Sequence, residues 1–202
     1  NKDMKQITGA EIRKIIGNKR VNVIVGGPPC QGFSMAGKRQ PNDPRNSLFM
    51  EYVRLVKGLN PDFFVMENVR GLLSMKNEKR EGVIQIIIYE FKKIKGYKVN
   101  LFSINTADYG IPQKRKRVFI VGYKEKYNFA FPGKTHSKRR ENLNKWIGLK
   151  SILLSKHNVE GKYFYSQKLI NGFLRREKRN EKRKMGFGWQ FLNPEEPSYT
   201  IS

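Results

Sequence analysis

Short apolar runs alternate with helical stripes through the first two thirds of the chain, and that alternation limits the folds open to it. Residues 21–25, 62–66, 97–104 and 118–123 are short runs rich in Val, Ile, Phe and Tyr, the composition of strands. Between them, residues 47–59 place Leu48, Tyr52, Leu55, Val56 and Leu59 at helical spacing, with Ser47 positioned to cap. Residues 82–94 do the same with Ile84, Ile87, Ile88 and Phe91. Strands interleaved with helices predict an α/β fold with a mostly parallel sheet, and residues 113–117 predict an antiparallel hairpin at its edge. In open sheets of this kind ligands sit beyond the carboxyl ends of the strands. Two residues able to do chemistry, Cys30 and Glu67, directly follow predicted strands.

Cys30 is the only cysteine, and it stands in Gly26-Gly27-Pro28-Pro29-Cys30-Gln31-Gly32-Phe33-Ser34. The two prolines fix their own backbone angles and restrict the residue before each. Gly26, Gly27 and Gly32 permit a sharp turn and close backbone approach of a ligand. A lone cysteine in a reduced compartment is usually a small buried hydrophobe. Here a rigid turn at the end of a strand presents it instead, as a positioned nucleophile would be.

Three further segments stand in order behind it: Asp43-Pro44-Arg45-Asn46-Ser47-Leu48, Phe64-Val65-Met66-Glu67-Asn68-Val69, and Gln113-Lys114-Arg115-Lys116-Arg117 preceded by Tyr109-Gly110-Ile111-Pro112. Together with the cysteine loop they resemble the motifs of the cytosine-carbon-5 DNA methyltransferases, bacterial restriction–modification type, over roughly residues 1–135. The resemblance implies a Rossmann-like, S-adenosyl-L-methionine-dependent methyltransferase sheet. It implies that Cys30 attacks carbon 6 of a cytosine extruded from duplex DNA, and that carbon 5 then takes a methyl group. Glu67 would hold ring nitrogen 3 and the exocyclic amine, sharing a proton as charge builds on the ring. Asn68 would brace the cysteine loop. Arg115 and Arg117, alternating along one strand and so aimed the same way, would lie near the flipped nucleotide, with Gln113 beside them and Ser34 on the adjacent phosphate. The competing reading of the two arginines is an edge strand that deters aggregation. Asp3 and Met4 match the segment that contacts the cofactor's adenine, and Gly26, Pro28 and Leu48 would border the rest of the cofactor surface.

The family's glycine-rich cofactor loop and its acidic ribose contact have no counterpart before Cys30, so the resemblance implies a sheet incomplete at the N-terminus. A fragment of a longer protein, one subunit of a split enzyme completed by another polypeptide, and a degenerate copy all fit. Residues 1–135 are expected to form the central part of the catalytic domain. Residues 136–202 are expected to form a basic segment leading into an incomplete target-recognition region, with Pro197-Ser198-Tyr199-Thr200-Ile201 resembling a short segment found there.

Charge agrees with a nucleic-acid partner. The 202-residue chain carries 41 Lys+Arg against 17 Asp+Glu, a net charge of +24, although lysine is spread over its whole length. RNA methylation and a non-catalytic nucleic-acid-binding subunit fit the same charge. Residues 175–184, RREKRNEKRK, read equally as a solvated helix, a basic loop or a DNA-facing arm, with Gly186-Phe187-Gly188-Trp189 following. One cysteine excludes an internal disulfide, and His136 and His157 without a second thiol argue against a zinc site. No apolar run approaches membrane-spanning length and no signal-peptide pattern opens the chain, so an intracellular protein, cytoplasmic in a bacterium, is expected.

Overall fold

Why the first helix starts where it does is written in four residues. Thr8 Oγ1 accepts from the Glu11 N–H at 3.1 Å and Glu11 Oε2 accepts from the Thr8 N–H at 2.8 Å, a reciprocal capping box that opens α1 (Gly9–Ile15). The computed structural model describes residues 3–17, 19–29, 48–76, 80–139, 142–182 and 191–200. After α1 come β1 (Val23–Gly26), α2 (Leu48–Leu59), β2 (Phe63–Val69), α3 (Val83–Lys92), β3 (Tyr97–Asn105), β4 (Gln113–Lys114) and β5 (Lys116–Lys124). The remaining elements are β6 (His136–Ser137), β7 (Asn144–Lys145), α4 (Gln167–Lys182) and β8 (Ser198–Tyr199). Two compact units divide the chain: Asn1–Asn105 with Lys116–Gly133, and Thr106–Arg115 with Lys134–Ser202.

The first unit is built on a four-stranded sheet of order β1-β2-β5-β3. β1 and β2 are parallel, while β5 runs antiparallel to both β2 and β3. Three strands therefore point one way and β5 alone points back, a mixed sheet within an α/β unit. The parallel pair needs a crossover, and α2 lies within it. β3 and β5 form an antiparallel pair on either side of the expected hairpin segment, but Gln113 and Lys114 pair parallel with β8 in another sheet. β3 takes the edge and β5 the interior. Reading Arg117 as part of an aggregation-deterring edge strand therefore fails.

Pleating sorts β2 into two faces, Phe64, Met66 and Asn68 buried on one and Phe63, Val65, Glu67 and Val69 half-buried on the other. The first face carries the main core: Phe64, Met66 and Ile120 pack with Val56 of α2 and Ile87 and Phe91 of α3. Phe64 stacks on Phe91 with ring centroids 4.4 Å apart. Gly122, opposite Phe64 in the register, makes this possible, because a Cβ there would stand 1.9 Å from Phe64 Cε1. The second face holds an aromatic layer in which Phe102 stacks on Phe131 at 4.3 Å and Phe63 meets Tyr127 at 5.0 Å. On β1 that same face leaves Val23 51% and Val25 73% exposed.

The second unit is held by short pairings. β4 and β8 run parallel, with Gln113 opposite Ser198 and Lys114 opposite Tyr199, so the Pro-Ser-x-Thr segment docks on the Gln-x-Arg-x-Arg segment. Trp146 Nε1 donates to Asp108 Oδ1 at 3.0 Å, and Lys134 Nζ pairs with Asp108 Oδ2 at 3.0 Å. The basic run from residue 175 is helical as far as Lys182, within α4. Residues 183–190, with the Gly-Phe-Gly-Trp sequence, lie outside the described residues.

Candidate active site

The carboxyl end of β1 is clamped from behind by α2. Tyr52, read from sequence only as one tooth of an apolar stripe, has its hydroxyl 3.0 Å from Ile24 O and 2.9 Å from Val65 O. It thus ties the two parallel strands together, and burial holds its phenol pKa well above the ordinary value. The ring fills the space where a side chain at Gly26 would go, since a Cβ there would lie 2.5 Å from Tyr52 Cε2. Glycine is required by that close approach rather than by a left-handed backbone.

From β2 the next two residues reach the same turn on opposite faces. Asn68 is buried, and its Nδ2 donates to Pro28 O at 3.1 Å, fixing the start of the Pro-Pro segment to the end of β2. Glu67 stands beside Gly27, where a Cβ would be 3.3 Å from Glu67 Oε2. Both residues lie inside β2 rather than after it, a strand longer than its apolar run because the ladder to β5 continues to Val69 opposite Arg117. Cys30 and Ser34 lie outside the described residues. Cys30 follows directly on Pro29 and is two residues from the carbonyl that Asn68 holds.

Arg117 completes this group in a way the sequence did not announce. Arg117 Nε pairs with Glu67 Oε1 at 2.7 Å, and its Nη1 donates to Lys116 O at 2.9 Å. The register explains the pairing: Glu67 faces Phe119, so Arg117 is its diagonal neighbour on the same face. The arginine side chain is 17% exposed and the glutamate side chain 37%, leaving the carboxylate open to a ligand while one oxygen is held. A carboxylate so oriented can accept from, or share a proton with, a planar donor–acceptor edge.

Arg115 does not share that strand. It falls in the break between β4 and β5, its N–H donating to Thr106 Oγ1 at 3.1 Å and its carbonyl accepting from the Thr106 N–H at 3.1 Å. The continuous alternation that would aim both arginines alike is interrupted because Thr106 captures the backbone at this point. Gln113 likewise gives its carbonyl to Thr106 Oγ1 at 2.5 Å. Thr106 was missed in the sequence, where nothing but its place at the end of a strand marks it.

The expected cofactor contacts are unevenly placed. Leu48 opens α2, one turn before Tyr52, which packs against Gly26. Met4 packs against the core and its carbonyl accepts from Arg54 Nη2 at 2.9 Å. Asp3 Oδ1 accepts from the Lys5 N–H at 2.9 Å, capping its own turn. Asp62, which begins the second apolar run, proves to be a buried carboxylate paired with Arg20 and 3.7 Å from Lys124 Nζ. Among the described residues no helix is long and apolar enough to cross a membrane.

The chain is 57% identical to the type II methyltransferase M.DdeI of Desulfomicrobium norvegicum over 104 residues, 52% of this chain and 25% of that protein. It is 41% identical to the type II methyltransferase M1.HphI of Haemophilus parahaemolyticus over 138 residues, 67% of this chain and 36% of that protein. The chain thus spans a quarter to about a third of these relatives' length. The fold is similar to that of the Entamoeba histolytica methyltransferase EhMeth, with a TM-score of 0.61 and 22% identity, over 86% of this chain and 50% of that one. The family model for C-5 cytosine-specific DNA methylase matches residues 1–200, and the chain belongs to that family.

Proposed function

We propose that this chain is the central part of a restriction–modification enzyme that methylates carbon 5 of cytosine in duplex DNA through a covalent adduct on Cys30. The observation that carries this reading is the joining of three motifs at one strand end: Asn68 holds Pro28, while Glu67 lies beside Gly27 and is gripped by Arg117. Gly27 and Pro28 therefore follow β1, and the acid lies in β2, the parallel strand beside it. Relatives named as type II methyltransferases support methyl transfer.

Carbon 5 of cytosine is a poor nucleophile until a thiolate adds to carbon 6. Cys30 makes that bond, and Glu67 offsets the charge that builds on the ring by sharing a proton at nitrogen 3. Arg117 is a positioning residue: it holds the carboxylate with its second oxygen toward the base, and its own remaining donors face the cytosine oxygen or a phosphate. Loss of the carbon 5 proton and expulsion of the Cys30 thiolate restore the ring. The base is extruded, since its carbon 6 is out of reach in a stacked duplex. Arg115, Gln113 and Ser34 contact the nucleotide and its phosphates.

The donor set suits part of S-adenosylmethionine. A glycine backbone pressed on Tyr52, with Pro28 and the half-buried Leu48, offers an apolar wall. Asp3 and Met4 would flank the adenine. When bound, that group supplies the methyl. A polypeptide carrying the family's glycine-rich cofactor loop is the proposed complement of this pocket.

Labelled methyl transfer to duplex DNA, with that polypeptide added, tests the reading. Incorporation abolished by Cys30→Ala, and a covalent adduct with a duplex containing 5-fluorocytosine, are expected. Adducts on RNA alone would overturn the substrate, and no adduct on any nucleic acid would overturn the chemistry.

A further inference from the structure

At 100° per residue, α4 separates its side chains into two halves. Lys168, Arg175, Arg176, Lys178 and Arg179 occupy one half, and all five are exposed. Leu169, Ile170, Phe173, Leu174 and Glu177 occupy the other, and all of these but Leu169 are half-buried. The apolar half is used within its own unit. Phe173 meets Tyr165 edge-on with centroids 5.6 Å apart, and Glu177 lines a cavity of about 340 Å³ with Lys114, Phe191 and Tyr199. A membrane surface would need that half free.

The basic half contains no acid. Among the described residues no ion pair involves its five cations, and Arg175 Nε merely returns to Asn171 O at 3.3 Å. Arg175, Lys178 and Arg179 stand three and four apart, where like charges disfavour a helix. A row of anions along the face relieves that repulsion. Lys168 to Arg179 spans about 16 Å at the helical rise, the axial length of about five phosphates of one DNA strand.

We propose that the basic face of α4 lies along the phosphate backbone of duplex DNA and supplies sequence-independent affinity. The inference rests on the reading above in taking duplex DNA as substrate. Such contacts position a protein on the duplex without reading bases, and each releases counterions.

The test is equilibrium binding of the full chain to a labelled duplex as a function of salt. The wild type is compared with the Arg175→Gln, Arg176→Gln, Lys178→Gln, Arg179→Gln variant, glutamine being a good helix former. A control variant removes four exposed lysines of the first unit, Lys19, Lys57, Lys92 and Lys95. The slope of log affinity against log salt is expected to flatten by roughly 3 in the helix variant and by less than about 1 in the control. Circular dichroism checks the helix, and the two double variants, each expected to give about half the change, replace the quadruple one if it unfolds. Equal flattening in both variants, no duplex binding by the wild type, or flattening seen only with RNA or with anionic vesicles would each overturn the inference. Binding needs no turnover, so absent methyl transfer with the slope difference intact overturns the chemical reading alone.

Discussion

At the scale of single residues, Glu67 and Asn68 are neighbours with separable roles. Under the proposed chemistry Glu67→Gln keeps the shape and loses the shared proton. Methyl transfer is expected to fall roughly 10²–10⁴-fold with duplex affinity kept; turnover within a few-fold of wild type would exclude Glu67 from the chemistry. Asn68→Ala instead removes a buried hydrogen bond to Pro28 and is expected to cost about 1–3 kcal/mol in urea denaturation. Two ionisable groups contribute at opposite ends of the pH range. Hydrogen bonding to Arg20 holds Asp62 below the ordinary carboxylate range, so its contribution is present above about pH 4 and is lost as pH falls through the lowered value. Burial pushes the Tyr97 phenol up to about 12, and nearby Asp62 acts in the same direction. A raised tyrosine contributes below about pH 10 and loses that contribution as pH climbs toward 12. Urea midpoints across pH are expected to show both edges, the acid edge softened in Asp62→Asn and the alkaline edge in Tyr97→Phe. An unchanged profile in either variant would remove that residue from the account.

At the scale of elements, the pairing of β2 with β5 is what brings Glu67 to Arg117, and it depends on Gly122 admitting Phe64. Gly122→Ala places a Cβ 1.9 Å from the Phe64 ring, and stability is expected to fall by about 1–3 kcal/mol or more. Adding Phe64→Leu should return part of that loss; strictly additive losses would show that the two residues do not collide. The strands were legible because their Val, Ile and Phe content is local. The end of β2 was not, since Glu67-Asn68 carries no strand composition and is extended because β5 pairs with it. The break at Arg115 was equally hidden, because the hydroxyl that captures its backbone comes from Thr106.

At the scale of the whole molecule, the two units are not consecutive halves of the chain. Residues 106–115 belong with residues 134–202, through Gln113 opposite Ser198 and Trp146 on Asp108. A chain ending at residue 133 is therefore expected to lose amide-exchange protection over 106–115 while β2 and β5 keep theirs. Retained protection at 106–115 would mean that this segment is held by the first unit.

The sequence by itself determined the alternation of strand and helix and the order of the motifs, along with the net positive charge. These are local or additive properties, readable from neighbours along the chain or from counting. Only the tertiary structure decided that β5 enters the sheet between β2 and β3, that Tyr52 binds two strands, and that Arg117 grips Glu67. Each of these joins residues far apart in sequence. Pairing order and register, which no local pattern encodes, choose such partners.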